Sequence, residues 1–498
     1  MTSLSLLTAV LFLPMASSLA LVPFWHRPAI ARRVALAAAV AELLLAGVLL
    51  WVRQGAVDAG TAGGFFLGTD APWVDSFGIR YTLGLDGLAL AMVLLTAFVT
   101  VIAMLVSWRG VTERVTFHYL LILVMETGIL GVFLSLDLFL FYLFWEVMLI
   151  PMFLLIGIWG HGRRVYSAVK FFLYTLAGSL LMLLAIIGVY LLHGGQQGTY
   201  TFSLAALLQT RVPADTSLWL FAAFLLAFAI KVPVFPLHTW LPDAHTDAPT
   251  AGSVLLAALL LKTGAYGLIR IGIPLFPDAA RTLAPFLSTL AVIGIIYGSW
   301  VAFAQSDMKR LVAYSSVGHM GFVALGIAAW TPVSLSGAVV QMVNHGITTG
   351  ALFALVGFLD ERAHTREIAA FGGLWGKVPV YSFFFLLFSL ASLGLPGLNN
   401  FVGEFLVLSG VFRVSPVAAA IAFAGIVVTL VYTLRLVQEV LFVTERAPLP
   451  LADVSLREGM VLSLLALLVL YLGIHPAPLL DLLREPVALL TTGKGGGP

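Results

Sequence analysis

Long uninterrupted runs of apolar residues constrain the fold of this chain more than any other feature. About fourteen runs are present, and most have the roughly 17 to 25 residues that an α-helix needs to cross a bilayer. Hydrophobic residues make up 61% of the chain and charged residues 10%, against about 25% charged residues in soluble domains. We therefore predict an all-α polytopic membrane protein in which residues 1–498 form a single integral membrane domain.

The predicted spans are joined by short loops, apart from two longer connections at Val52 to Gly87 and at Gly194 to Thr216. The first run is interpreted as a retained helix rather than a signal peptide, because no basic segment precedes it and no cleavage site leads to a polar chain. The fourteen predicted spans cover residues 2–22, 34–51, 89–107, 117–133, 138–159, 168–192, 217–232, 251–273, 283–304, 311–330, 333–359, 378–412, 417–443 and 460–474.

Lys and Arg residues are spread unevenly over the loops. Fifteen lie in the odd-numbered loops, including Arg446, and eight lie in the even-numbered loops and the tail, including Lys494. The even-numbered loops have fewer of these residues although the two longest connections are among them. Because cytoplasmic loops have the excess of Lys and Arg, we expect both termini to face away from the cytoplasm. The net charge of +2 indicates no nucleic-acid partner, and the lack of cysteine excludes disulfides and cysteine-ligated clusters in this chain.

Two proline-containing breaks interrupt the apolar runs. The first follows Lys231 in KVPVFPLHTWLPDAHTDAPT, and the second is LPGLNN, Leu395 to Asn400, inside the twelfth span. The sequence LIGIW that ends at Trp159 also returns as ALGIAAW at Trp330, which gives an offset of roughly 165 to 170 residues. This offset corresponds to five helices. Because five is an odd number, the second copy is inverted relative to the membrane, as in transporters built from inverted repeats with broken helices. We predict repeats at 114–273 and 283–443, with chance resemblance between Gly- and Leu-rich helices as the alternative.

Several ionisable residues lie inside predicted spans, where each costs about 3 kcal/mol to insert. Glu146 has no polar neighbour within a helical turn, so its partner is expected on another helix, and Lys231 is the natural candidate. A chain of titratable groups across several helices is what proton movement requires. The residues that we predict to form this proton relay are Glu146, Lys231, Lys262, His319, His345 and Glu404. Glu126 also lies in a span, and we favour a structural role for it.

Other interpretations of these residues remain open. A buried Lys and Glu can form an ion pair that only fixes helix register, and a lone His on an apolar helix is more often a packing residue than a relay. His238 and His245 lie near two aspartates, and for this loop a hydrated route for proton uptake is favoured over a metal site. A structural spacer subunit is therefore an alternative to a transporter.

Three segments closely resemble a known family. KVPVFPLHTWLPDAHTDAPTAGSVLLAALLLKTGAYGLIRI (Lys231 to Ile271), DMKRLVAYSSVGHMGF (Asp307 to Phe322) and LPGLNNFVGEF (Leu395 to Phe405) resemble the antiporter-like membrane subunits of complex I, the proton-pumping NADH:quinone oxidoreductase, and their Mrp antiporter relatives. Most members have a lysine on the broken twelfth helix, whereas the M-type has a glutamate, as at Glu404. The chain is expected to end after its fourteenth span, without the long lateral helix of the L-type.

The resemblance implies how the predicted relay works. Glu146 and Lys231 would form a coupling pair, Lys262 a central relay, His319 and His345 a continuation of the line, and Glu404 the terminal proton carrier between two half-channels. It also implies no cofactor in this chain, with flavin and iron-sulfur clusters in partner subunits. The expected partners are other complex I membrane subunits, including neighbouring antiporter-like subunits, in a bacterial inner membrane. A subunit of a Mrp-type Na⁺/H⁺ antiporter or of a membrane-bound hydrogenase is the alternative.

Overall fold

The computed structural model of the chain describes residues 3–58, 64–444 and 451–492, and most of them are helical. Within these ranges thirteen helices are long and apolar enough to cross a membrane. The remaining predicted span, the twelfth at residues 378–412, forms two shorter helices on either side of a break. The prediction of an all-α polytopic membrane protein with about fourteen spans is therefore confirmed.

The first eight predicted spans form the first half of the helical bundle. The span Leu138–Trp159 consists of two consecutive helices, and the span Thr250–Leu275 contains two π-helical segments, Leu256–Leu260 and Leu268–Gly272. The helices are α1 (Ser3–Ala20), α2 (Pro28–Asp58), α3 (Gly87–Gly110), α4 (Val115–Leu134), α5 (Leu138–Val147), α6 (Leu149–Trp159), α7 (Arg164–Gln197), α8 (Leu204–Leu207), α9 (Ala214–Lys231), α10 (Trp240–Asp247), α11 (Thr250–Leu255), α12 (Leu261–Gly267) and α13 (Ile273–Leu275).

The remaining six predicted spans form the second half of the bundle. Its helices are α14 (Pro277–Phe303), α15 (Met308–Ala329), α16 (Pro332–Ala363), α17 (Leu374–Lys377), α18 (Pro379–Ser392), α19 (Asn399–Phe412), α20 (Pro416–Val437), α21 (Leu456–Ile474) and α22 (Ala477–Thr491). The most hydrophobic stretches of Thr250–Leu275 and of α16 are completely buried inside the protein, whereas α2 and α20 expose most of their surface. Charged residues on the central helices must therefore find their partners within the protein.

The long connection between the second and third predicted spans contains a β-hairpin, which the prediction of a loop did not foresee. Strands β1 (Leu67–Val74) and β2 (Ile79–Leu85) pair antiparallel, with Leu67 opposite Leu85. Arg80 bonds Asp70 at 2.7 Å and holds the pKa of this carboxyl below its ordinary value. Contacts with the helices stabilise the hairpin, because an isolated hairpin is marginal in water and Tyr81 reaches Thr8 on α1 at 3.1 Å. Residues 59–63 of this connection lie outside the described residues.

A further helix follows the fourteenth predicted span, so the expectation that the chain ends there is wrong. This helix, α22, is amphipathic and packs its apolar face against α3 and α16. Its backbone comes so close to the start of α3 that a side chain at Gly87 would collide with the carbonyl of Leu482. At 15 residues it spans about 22 Å. Arg446 and Lys494, which were counted for the orientation, lie outside the described residues.

Candidate functional site

Lys231 is the last residue of α9, and only 1% of its surface is exposed. Helical structure resumes at Trp240, and Pro233, which lies in the break, has no backbone N–H to donate. The indole Nε1 of Trp240 donates to the carbonyl of Ile230 at 2.9 Å and so ties the two sides of the break together. The Lys231 ammonium lies 5.3 Å from the ring centre of Trp145 and has no hydrogen-bond partner among the described residues. Its N–H groups therefore remain available for a proton-transfer partner.

Glu146 lies at the end of α5, where the span is interrupted at Met148. Its carboxylate is only partly buried and interacts with Tyr142, one helical turn earlier. The charge of Glu146 acts on Lys231, yet the Lys231 ammonium and the Glu146 carboxylate form no hydrogen bond within the described part of the chain. The structure thus places the two predicted partners in electrostatic range of each other but not in direct contact.

Lys262 is completely buried at the centre of the span Thr250–Leu275, on the short helix α12 between the two π-helical segments. Its ammonium donates to the carbonyl of Ala257 at 2.5 Å and lies 2.6 Å from Nδ1 of His345 on α16. Because an ammonium has only donors, Nδ1 must accept and the remaining proton of a neutral His345 ring is on Nε2. The π-helical turn widens the helix here, which allows the Lys262 side chain to reach a carbonyl five residues earlier in the same helix.

His319 and Glu404 form the second direct contact of the predicted relay. Nδ1 of His319 on α15 lies 2.9 Å from the carboxylate of Glu404 on α19, and both side chains are buried. Nε2 of His319 lies 3.3 Å from the hydroxyl of Ser392, the last residue of α18 before the second break. Gln341 also donates to Glu404, at 3.2 Å. The glutamate therefore has two partners on two different helices, and one of them can exchange a proton with it.

The two histidines join these pairs into one line. The ring centres of His319 and His345 are 5.8 Å apart, so the order along the line is Lys262, His345, His319 and Glu404. At the other end, the backbone of α12 lies directly against the side chain of Lys231, because a β-carbon at Gly264 would come within 2.8 Å of the Lys231 β-carbon. The six predicted residues thus lie near one another in succession, with direct contacts between Lys262 and His345 and between His319 and Glu404.

Neutral polar side chains that the sequence analysis did not single out line the same region. Asn344 and Asn399 exchange two hydrogen bonds with each other's carbonyls, at 2.6 and 3.2 Å, and Thr348 donates to the side chain of Asn399 at 3.0 Å. These bonds hold the start of α19, and hence Glu404, against α16. Uncharged amides and hydroxyls inside an apolar run are a weak sequence signal, although their position beside the second break could have drawn attention to them.

The loop after the first break does not bring its histidines and aspartates together as metal ligands. Asp243 pairs with Lys170 at 2.7 Å, and Asp247 accepts from Ser167 at 2.6 Å. His245 is completely buried and stacks on Phe353 with ring centres 4.5 Å apart. Both carboxylates are thus occupied by other partners on α7.

Comparison with known proteins decides the family. The family model described as NADH:quinone oxidoreductase/Mrp antiporter, transmembrane region, matches residues 135–429. A Pseudomonas aeruginosa protein named NADH-quinone oxidoreductase subunit M is 49% identical over 417 residues, which is 82% of each chain. The chain belongs to this family.

Solved structures of the family share the fold along nearly the whole chain. A chain of respiratory complex I from Thermus thermophilus is similar with a TM-score of 0.89 at 34% identity, covering 98% of this chain and 100% of that one. A chain of the Mrp complex from Dietzia sp. has a TM-score of 0.85 at 21% identity, covering 98% and 99%, which indicates a shared fold alone. All six residues of the line fall within the part matched by the family model.

Proposed function

We propose that this chain is a proton-translocating membrane subunit of a NADH:quinone oxidoreductase and that its buried line conducts protons. The observation that carries the proposal is the succession of two hydrogen-bonded pairs, Lys262 with His345 and His319 with Glu404, whose histidine ring centres are 5.8 Å apart. Relatives with the name NADH-quinone oxidoreductase subunit M support the assignment of the complex. The similarity to the chain of the Mrp complex indicates a shared fold and does not indicate an activity for this chain.

The pair of Glu146 and Lys231 is suited to act as the input of the line. A carboxylate that approaches a buried ammonium stabilises the charged form, and one that withdraws destabilises it. Since Glu146 and Lys231 are within electrostatic range but not in contact, a small movement of α5 towards or away from the break changes this attraction strongly. When the attraction weakens, Lys231 gives up a proton towards Lys262 on the adjoining helix.

The remaining transfers follow from the order of the side chains. The Lys262 ammonium passes a proton to Nδ1 of His345 across 2.6 Å, and the proton on Nε2 of His345 is then free to leave. His319 receives it from His345 and delivers a proton from Nδ1 to Glu404 across 2.9 Å. Each imidazole takes a proton at one nitrogen and releases one at the other, and each ring must return to its starting tautomer before it can pass the next proton. Glu404 is the terminal carrier, from which the proton leaves.

The energy for this transport comes from partner subunits in the proposal. Moving one charge against about 150 mV costs roughly 3.5 kcal/mol, and this chain has no cysteine with which to hold an iron-sulfur cluster. Flavin and iron-sulfur chemistry would therefore reside in other subunits of the complex, and neighbouring antiporter-like subunits in the bilayer are the expected contacts. With both termini away from the cytoplasm in a bacterial inner membrane, proton uptake begins on the side of the odd-numbered loops.

The two halves of the line would belong to two inverted repeats, 114–273 and 283–443. Each range contains five spans, and in each the fourth span is the broken one: α9 with α10 in the first, α18 with α19 in the second. Lys231 precedes the first break and Glu404 follows the second. Superposing the two ranges after rotation about an axis in the membrane plane tests this proposal, and a poor fit over all five spans contradicts it.

The experiment that tests the proposed function replaces Glu146 and Lys231 together by apolar residues, as Glu146→Leu with Lys231→Met, in the assembled complex. Removing both charges leaves no unpaired buried ion, so the complex is expected to assemble. Proton translocation per NADH oxidised is then measured in reconstituted vesicles, and it is expected to fall. Normal translocation in the double variant would mean that the charges only fix helix register and that the chain is a structural spacer.

A further inference from the structure

Two carboxyl groups are buried outside the line. Glu42 on α2 is 0% exposed and Glu126 on α4 is 1% exposed, and none of their four carboxyl oxygens has a hydrogen-bond partner among the described residues. Helix α2 packs against α1, α3 and α4. The charge of Glu42 acts on Glu126. The two buried acids therefore lie on packed helices, within electrostatic range of each other.

The hydroxyl group of Thr100 on α3 lies close to the Glu126 carboxyl on α4. Thr100 on α3 interacts with the Glu126 carboxyl, but its hydroxyl donates to the carbonyl of Thr96 at 3.0 Å. Thr100 therefore brings a hydroxyl close to the Glu126 carboxyl, although its own proton is donated to Thr96.

The same two helices present a polar pair nearer the membrane surface. Ser107 on α3 lies 3.3 Å from the hydroxyl of Tyr119 on α4. Since the helices run antiparallel, moving seven residues inward along both leads from Ser107 to Thr100 and from Tyr119 to Glu126, about 10 Å deeper at 1.5 Å per residue. The two pairs lie on one side of each helix, because seven residues complete about two turns. A file of polar side chains therefore runs along this interface.

Basic residues surround the outer end of the file. Arg32 donates to the carbonyl of Val111 in the α3–α4 loop at 2.5 Å, and Arg457 donates to the carbonyl of Leu105 at 3.2 Å. Both guanidinium groups act on Tyr119, and Arg32 also acts on His118. This end of the file lies on the side of the odd-numbered loops. Two cationic side chains thus lie at the outer end of the file.

The titratable groups of the line face other partners. Glu146 on α5 interacts with Tyr142 and Lys231, and Lys262 on α12 bonds Ala257 and His345. Both helices pack against α4, but the charge that acts on Glu126 is that of Glu42. The pair of acids is therefore a separate site and not a member of the line.

We propose that Glu42 and Glu126 form a second proton-binding site, loaded along the file of Tyr119, Ser107 and Thr100 from the side of the α3–α4 loop. Two buried carboxylates without hydrogen-bond partners among the described residues, within electrostatic range of each other, are costly, and each becomes neutral by taking up a proton. The site holds protons beside the line without being part of it. The inference goes beyond the proposed function, because it requires only that the two acids are protonated in the membrane.

A hydrophobic carbodiimide tests this protonation directly. The reagent enters apolar regions and reacts with a carboxylic acid: the acid proton goes to a carbodiimide nitrogen, the carboxyl oxygen bonds to the central carbon, and the acyl group then moves to nitrogen as a stable acylurea. The adduct contains every atom of both reactants. Carboxylates held by a cation react poorly, so Asp86, which is buried and ion-paired with Arg270, provides an internal control.

The assembled complex in native membranes is treated with dicyclohexylcarbodiimide, and modified peptides of this chain are quantified by mass spectrometry. The expected result is modification at Glu42, Glu126 or both, at least tenfold above that at Asp86, and its loss at the substituted position in Glu42→Gln and Glu126→Gln. Equal modification of Asp86, or none at either glutamate, overturns the proposal. The wild-type comparison with Asp86 decides the matter even if a variant fails to assemble.

Two further measurements separate the alternatives. Slower modification in sodium chloride than in choline chloride would make the pair a sodium site and overturn proton binding. Hydrogen–deuterium exchange of the protonated carboxyl is monitored by infrared spectroscopy, and the difference spectrum between wild type and Glu126→Gln identifies the band of Glu126. The rate of this exchange is expected to be severalfold lower in Thr100→Val than in wild type. Unchanged exchange in this variant contradicts loading along the file. None of these readouts depends on pumping, so their failure leaves the proposed function of the line intact.

Discussion

Replacing Lys262 by methionine separates the proton-carrying role of this side chain from its packing role. Lys262 fills its site completely and makes two hydrogen bonds, to Ala257 and to His345. Methionine has a similar length and removes only the charged group. Lys262→Ala removes the charge and most of the side-chain volume as well. The pair of variants therefore tests one property at a time.

The magnitudes predict opposite outcomes for stability and for transport. Two hydrogen bonds from a charged donor contribute about 3 to 6 kcal/mol in total, and removing an ammonium from water costs several kcal/mol. The two contributions nearly cancel, so Lys262→Met is expected to change stability by less than about 2 kcal/mol. Lys262→Ala leaves a cavity and is expected to cost about 2 to 5 kcal/mol, as truncations of buried long side chains do.

Both variants are compared with wild type in the purified complex, by thermal unfolding and by proton translocation in vesicles relative to NADH oxidised. Lys262→Met is expected to unfold at a temperature close to that of wild type and to translocate fewer protons per NADH. Wild-type translocation in Lys262→Met would refute the reasoning, because the line would then work without its central lysine. Loss of assembly in Lys262→Met, with Lys262→Ala no worse, would refute the energetic argument.

Two other substitutions test how the helices hold the line. Gly264→Ala is expected to cost about 1 to 3 kcal/mol of stability through overpacking and to lower proton translocation, because its β-carbon would lie 2.8 Å from that of Lys231. Gly350→Ala is the tolerated control, since the nearest neighbour of its β-carbon would be at 3.8 Å. Equal effects of both substitutions would contradict the close contact between Gly264 and Lys231. Arg270→Met leaves the buried carboxylate of Asp86 without its ion pair and is expected to cost about 3 to 5 kcal/mol of stability, measured by thermal unfolding. The additional substitution Asp86→Asn should restore most of this stability. A failure of the rescue would indicate that Arg270 acts by packing alone.

The spans, the two breaks and the six titratable residues inside the spans were predictable because each leaves a strong local signal. A run of apolar residues has few structural alternatives, and a charge such as Lys262 inside it stands out. The order of the two histidines was not predictable in this way. His319 precedes His345 in the chain, but contacts between helices place His345 beside Lys262 and His319 beside Glu404.

Other features depend on contacts between distant segments and leave little trace locally. The β-hairpin is held by helices such as α1, and α22 is recognised only when its apolar face is seen against α3 and α16. Glu42 is different, since it lies in the middle of the second predicted span and the rule that selected Glu126 applies to it equally. What the sequence could not indicate is that these two acids lie within electrostatic range of each other on packed helices.

The central claim, that protons pass along the line to its end, is tested most directly at Glu404. Glu404→Gln keeps the shape and the contact with Gln341 but removes the group that exchanges a proton with His319. Glu485→Gln, the same chemical change at an exposed position of α22, is the control. The measurement is the number of protons translocated per NADH oxidised by the reconstituted complex. The ratio is expected to fall in Glu404→Gln and to stay at the wild-type value in Glu485→Gln, and an unchanged ratio in both would contradict the claim.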